Sequence, residues 1–265
     1  MTTFNIYRRE SNDINPPVAI ATGVDIKSYS DSTATHGDVY LYSIGAVISG
    51  TEKMSSEIKI QAGDLDWNNV VSLLYFKDNF TDETGRIWAN NGVSFSEETP
   101  FLGIKSCSFS TSLLSELRSS ESTNLGSGDF TIELWSKGVG SLFSKRIPTG
   151  TSNGGMTFFV NQSSRLAAWN GSQEVSSSGV IDVNAFTHKA FVKHGDRLKM
   201  FNNGVMVYDD VYYISDNTYP MQIGAAIFNG VAVDFFNGLI AMPRITKTAR
   251  YTENFTPSDF VFPNS

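Results

Sequence analysis

Two tryptophan–asparagine pairs are the residues best suited to chemistry in this chain: Trp88 with Asn90 in the run Trp88-Ala89-Asn90-Asn91, and Trp169 with Asn170 ahead of Gly171. An indole offers a flat apolar face on which a sugar ring can lie, and a neighbouring amide both donates to and accepts from its hydroxyls. Tryptophans beside turns also serve as core plugs at the ends of β-sandwiches, and the sequence leaves both readings open for each pair. Tyr212-Tyr213, between Val211 and Ile214, suits a rim contact or an interface between copies. The stretch Asp78-Asn79-Phe80-Thr81-Asp82-Glu83-Thr84-Gly85 is dense in oxygen side chains, the composition of a polar turn.

Residues for covalent or acid–base chemistry are scattered. His36 and His194 each precede a glycine in a turn, and His188 holds a patterned strand position. Glu97-Glu98 lie before a proline, Asp209-Asp210 end a strand, and Glu133 stands alone in Thr131-Ile132-Glu133-Leu134-Trp135. Cys107 sits in KSCSFS, where alternation groups it with Phe109 opposite Ser106, Ser108 and Ser110; that is the place of a buried small residue, not of a nucleophile. No Gly-x-Ser-x-Gly elbow, phosphate loop or paired-histidine metal motif is present. The expectation is a protein without catalytic activity.

Composition narrows the partners. The chain has 265 residues, a net charge of −7 and only 18% charged residues. A nucleic-acid surface needs clustered Lys and Arg, whereas Arg8-Arg9 and Lys145-Arg146 are isolated pairs that read as solvated strand ends. One cysteine excludes an intrachain disulfide framework. The first ten residues, MTTFNIYRRE, lack the apolar core of a signal peptide, and no window approaches the ~18 apolar residues of a membrane span. The chain is expected to be made in the cytoplasm of the producing cell, with no nucleic-acid partner and no membrane insertion.

The elements that must carry these residues are strands. Residues 184–208, NAFTHKAFVKHGDRLKMFNNGVMVY, read as a three-strand meander: period-two alternation, a break at Gly195-Asp196, and a hairpin at Asn203-Gly204. Such a meander hides a face only against a second sheet. Further candidates are a long apolar strand over Asp66–Phe76, then Val93–Phe95, Ser106–Phe109, Gly128–Trp135 with Phe130, Ile132 and Leu134 on one face, Thr157–Asn161, Arg165–Trp169, Met221–Ile223 and Val233–Arg244. Thr246–Tyr251 reads as a helical turn. Ahead of these, Phe4–Arg8, Val18–Thr22, Val39–Ile48 and Glu57–Ile60 form a group of their own, with Tyr40, Tyr42, Ile44 and Ala46 sharing a face. Gln61-Ala62-Gly63-Asp64 is the expected linker, giving a segment 1–62 and a domain 63–265.

Two resemblances follow. FNIYRRE, SYSDSTATHGDVYLYSIGAVISG and EKMSSEIKI resemble the later part of a fibronectin type III domain, of which about the last four strands are present. VVSLLYFKDNFTDETG, GDFTIELW, the meander and FFNGLIAMPRITKTARYTENFTPSDF resemble, in that order, the laminin G-like, concanavalin A-like jelly-roll family, and the last run looks like the version found in bacteriophage virion proteins. The implied fold is an all-β, concanavalin A-like (laminin G-like) antiparallel jelly-roll sandwich preceded by a small, incomplete fibronectin type III-like β segment. An incomplete sandwich leaves sheet edges and an inner face to be covered, so segment 1–62 is expected to dock on a neighbouring chain, another virion protein, or to fold back on the larger domain; the alternative is an irregular appendage with its own minimal packing.

The resemblance implies binding chemistry: host-surface glycan held at Trp88, Asn90, Trp169 and Asn170, with multiple copies per particle or a homo-oligomer raising the avidity. It requires no cofactor. Relatives sometimes hold calcium at the sandwich edge, which Asp78 and Asp82 would ligate here, although Ala241 and Met242 stand where relatives often carry acidic residues. Some jelly rolls of this class hydrolyse polysaccharides with two carboxylates on one strand face, but the E-x-D-x-x-E run is missing. Expected function is therefore a tail- or fibre-associated virion protein adhering to host carbohydrate, ahead of a head or tail decoration protein, and well ahead of a glycosidase.

Overall fold

The computed structural model describes residues 2–26, 28–125, 128–146, 155–214, 218–228 and 230–265. It is all-β, as the alternation predicts; among the described residues helix is confined to a 3₁₀ turn at Trp67–Asn69. The chain divides into two compact units, Met1–Asn68 with Ser258–Ser265, and Asn69–Pro257.

The smaller unit is one antiparallel sheet of five strands. Thr3–Glu10 lies between Val18–Val24 and Val39–Ile48, and both Thr51–Met54 and Ile58–Gln61 pair with Val39–Ile48. Register sorts the faces. Ile6 stands opposite Ile44, Arg8 opposite Tyr42, and Tyr42 and Tyr40 opposite Ile58 and Ile60, which collects the apolar residues on one side. On the other, Asn5 and Tyr7 donate to Glu52 at 2.8 and 3.0 Å, and Arg9 forks onto Glu57 at 2.7 Å. Tyr40 and Ile6 are buried, yet Ile44, Ile58 and Ile60 remain about half exposed. Thr51–Met54 escapes the sequence reading because all four residues are exposed and carry no apolar alternation; the Ser49-Gly50 turn, with φ of 51° and 80°, folds it back.

The larger unit is organised by Phe130–Arg146, a 17-residue strand that serves two sheets. Its first half pairs with Thr187–His194 and Asn237–Thr246. Its second half pairs with Gly155–Val160 and Pro220–Ile223. The crossing needs glycine: a Cβ on Gly138 or Gly140 would lie 2.2 Å from the Asn237 carbonyl oxygen or 2.4 Å from that of Phe235. Between the sheets, Phe130, Ile132 and Leu134 are buried in the core, and Phe158 of one sheet stacks on Phe191 of the other at 4.6 Å. The result is the jelly-roll sandwich expected.

The meander forms as read, Thr187–His194, Arg197–Asn202 and Val205–Val211, with positive φ at Asn203 and Gly204. Its outer face is also buried. Ala190, Val192 and Phe201 make a second, small core with Tyr251 and Phe255, and Phe255 N–H donates to the Gly204 carbonyl at 3.0 Å. A Cβ on Gly204 would meet the Phe255 carbonyl oxygen at 1.9 Å, so this turn admits the tail only as glycine. Two expectations are corrected. Asp66–Phe76 is not one long strand but the 3₁₀ turn followed by Val70–Leu73, with Phe76 and Asp78 in left-handed conformation beyond it. Thr246–Tyr251 is not helical, because Thr131 Oγ1 donates to the Thr248 carbonyl at 2.7 Å and accepts from Arg250 N–H at 2.9 Å, holding the chain open.

Candidate functional site

Register across the second sheet sets up two neighbouring rows. Leu117, Ile223, Phe143, Phe158, Ala168 and Val175 are successive partners and all belong to or pack on the core. One residue along, Arg118, Gln222, Ser144, Thr157, Trp169 and Glu174 are successive partners too. By strand alternation this second row points away from the core. Gln222, Ser144 and Thr157 in the middle of this row are buried, and the row reaches the surface at its ends, Arg118 at one and Trp169 with Glu174 at the other.

A cleft of about 560 Å³ opens at that edge, lined among others by Ser141, Arg146, Phe159, Asn161, Trp169, Glu174 and Asp234. Arg146 is its centre. The guanidinium carbon lies 4.2 Å from the Trp169 ring centroid and 5.5 Å from that of Phe228, and Nη1 is 3.4 Å from Asp234 Oδ2. Arg146 is 13% exposed and Asp234 65%. Burial pulls the Arg146 pKa below the usual arginine value, and the Asp234 charge offsets only part of that pull. Ser141 Oγ is buried without a hydrogen-bond partner among the described residues. The reading of Lys145-Arg146 as a solvated strand end is corrected here: Lys145 is fully buried and Arg146 roofs an indole.

The residues singled out from the sequence divide. Trp169 lines the cleft, whereas Asn170 builds the adjoining turn: its Oδ1 accepts from Ser172 and Gln173 N–H, and its Nδ2 donates to the Tyr213 carbonyl at 2.8 Å. Trp88 is buried, its Nε1 donating to Asp82 at 2.9 Å, and Asn90 closes a local turn onto Val93 through both amide atoms. Five strand spacings, roughly 24 Å, separate the Trp88 strand from that of Trp169, so the two pairs do not form one site. Asp82 is buried and accepts from Ser72 Oγ, Leu73 N, Thr84 N, Thr84 Oγ1 and Trp88 Nε1. A carboxylate offers about four lone-pair positions, so these donors saturate it. Asp78 is exposed and paired with Lys105 at 2.6 Å. Among the described residues no group of three or more His, Cys, Asp or Glu is placed to hold a metal ion.

Glu133, solitary in the sequence, gathers a buried cluster on the first sheet. It accepts from Arg244 Nε at 2.9 Å and Tyr251 Oη at 2.9 Å, and lies 3.0 Å from His188 Nε2. Burial alone would raise its pKa; the Arg244 charge and the His188 hydrogen bond overcome this and hold it well below the usual carboxylate range. Glu133 and His188 are each at most 1% exposed, so the cluster is closed to substrate and clamps the tail.

Residues 115–254, more than half of the chain, match the family described as the concanavalin A-like lectin/glucanases superfamily. The chain belongs to this family. Among solved structures, this lectin-like sandwich is similar to domain 4 of an extracellular GH43 arabinanase from Geobacillus stearothermophilus, in complex with arabinotriose: 16% identity, TM-score 0.51, 68% of this chain and 93% of that one. The binding domain of botulinum neurotoxin serotype G gives 9% identity and TM-score 0.51 over 69% of this chain and 49% of that one. The Ruminococcus gnavus IT-sialidase CBM40 bound to α2,3 sialyllactose gives 13% and 0.44, over 50% and 89%. At such identities the likeness is one of fold. No curated protein sequence matches the chain.

Within the concanavalin A-like sandwich, sequence reading finds Trp169 and misses Arg146 and Asp234. Trp169 betrays itself by type and turn context. Arg146 reaches it only through the pairing of Leu166–Trp169 with Gly155–Val160 and of that strand with Phe130–Arg146, and Asp234 is brought in by its carbonyl, which accepts from Ser141 N–H at 3.1 Å.

Proposed function

We propose that this protein is a non-enzymatic bacteriophage virion component, tail- or fibre-associated, whose concanavalin A-like sandwich adheres to host-surface carbohydrate through the Trp169 cleft. The observation that carries the reading is the cleft's make-up: aromatic rings, a guanidinium, carboxylates and an amide around a concave, sugar-sized volume. The arabinotriose complex of a similarly folded domain supports a saccharide as occupant. Support for the virion setting is the likeness of the run Phe235–Phe260 to phage proteins. Segment 1–62 would attach the sandwich 63–265 to other virion proteins, and many copies per particle would turn weak single-site binding into firm adhesion.

The test is titration of the protein with a panel of oligosaccharides, arabinotriose included, followed by isothermal calorimetry. Saturable binding in the wild type, weakened about tenfold or more by Trp169→Ala, is expected. Binding indifferent to Trp169 would move the site elsewhere. A second reading, decoration protein binding only virion partners, is favoured by the half-exposed Ile44, Ile58 and Ile60 on one face of the small sheet. It predicts no sugar binding at all.

A further inference from the structure

The cleft holds an arginine in an unusual state of incomplete use. Arg146 is 13% exposed, flanked by the Trp169 and Phe228 rings, and its hydrogen bonding among the described residues is limited to Nη1 with Asp234 at 3.4 Å. A guanidinium carries five in-plane N–H donors in a rigid fork that matches a carboxylate. Stacking on the indole fixes the plane of that fork without consuming its donors. Asp234 is a loose partner: two-thirds exposed, at the long end of hydrogen-bond range, and in left-handed conformation with φ of 53°. Such solvated pairs contribute little, and this one is open to exchange. Glu174, the other carboxylate in the lining, makes no ion pair with Arg146. Between Arg146 and Gly155 the sequence holds no ionisable residue that could take Asp234's place.

We propose that Arg146 is the specificity-determining residue of the cleft and selects a saccharide bearing a carboxylate, a uronate or a sialate, by accepting the ligand's carboxylate on its fork in exchange for Asp234. This deepens the carbohydrate reading and rests on it. Trp169 then acts by orienting the guanidinium as well as by bordering the sugar, which explains why its ring face is already covered in the free protein. Asp234 becomes a competitor of the ligand, not a contact to it.

The experiment is an array of uronate- and sialate-terminated oligosaccharides printed beside their methyl esters and beside neutral oligosaccharides, probed with the wild type, Arg146→Gln and Asp234→Asn. The acid form should bind about tenfold better than its ester, the size of one charge-assisted fork. Arg146→Gln should bring the acid down to the ester. Asp234→Asn, which keeps shape and removes the competitor, should strengthen acid binding about threefold or more. The uronate and sialate spots separate the two sources. Equal binding of acid and ester, or weaker binding by Asp234→Asn, overturns the carboxylate assignment and leaves the cleft as a neutral-sugar site. No binding of acid, ester or neutral sugars by the wild type overturns both readings. Because the Asp234 variant is predicted to gain, a folding defect in the Arg146 variant cannot rescue or sink the proposal.

Discussion

Asp78 and Asp82 bear the same group four residues apart, and the fold gives them opposite work. Asp82 is the shared acceptor of a buried turn, so Asp82→Ala strands several donors at once and should cost at least about 3 kcal/mol in urea unfolding. Asp78 is itself exposed and shares Lys105 with Glu97, and Asp78→Ala should fall within about 0.5 kcal/mol of wild type. The sequence displays two aspartates in an oxygen-rich run and cannot distinguish them, because saturation of Asp82 depends on Trp88 and Ser72 folding over it. Asp31 shows the same principle in the small sheet. Burial works to raise its pKa, but hydrogen bonds from Thr33, Tyr42 and Arg8 outweigh this and bring it down to about 2. A depressed carboxylate stabilises the fold above its unfolded pKa and loses that contribution as pH falls through the folded value. Amide protection factors at Thr33 and Tyr42, corrected for the intrinsic pH dependence of exchange, should therefore fall between about pH 4 and pH 2, by up to roughly 2 kcal/mol in opening free energy, and Asp31→Asn should abolish the dependence.

At the scale of elements, the meander was legible because alternation and Asn203-Gly204 are local signals. The burial of its outer face was not, since the cover comes from Tyr251 and Phe255, about fifty residues downstream, in a segment with no periodicity of its own. Glu133 is the clamp that makes the cover hold. Removing it leaves Arg244, His188 and Tyr251 without their shared acceptor inside the protein. Glu133→Ala should cost about 3–5 kcal/mol, and hydrogen exchange should quicken first over residues 247–257. If the tail stays protected in that variant, the ring stack of Tyr251 on Phe255 holds it unaided. The long crossing strand was legible only in its first half, Phe130–Trp135; Gly138 and Gly140 hide the continuation by interrupting the apolar pattern.

For the whole molecule, a single-sheet unit and a two-sheet sandwich face different physical demands. The sandwich buries its two inner faces against each other in one core. The small sheet keeps Ile44, Ile58 and Ile60 about half exposed on one face, where a second layer would ordinarily lie. On the proposed attachment role, Ile58→Lys should leave the sheet folded by circular dichroism while reducing incorporation into particles severalfold. The proposed role of the cleft is to bind host carbohydrate. Its most direct test presents the protein multivalently to host cells before and after periodate oxidation of their surface sugars, with Trp169→Ala alongside. Binding that periodate and the substitution each abolish is the expected result. Binding that survives both, or no binding to untreated cells, would overturn the carbohydrate role.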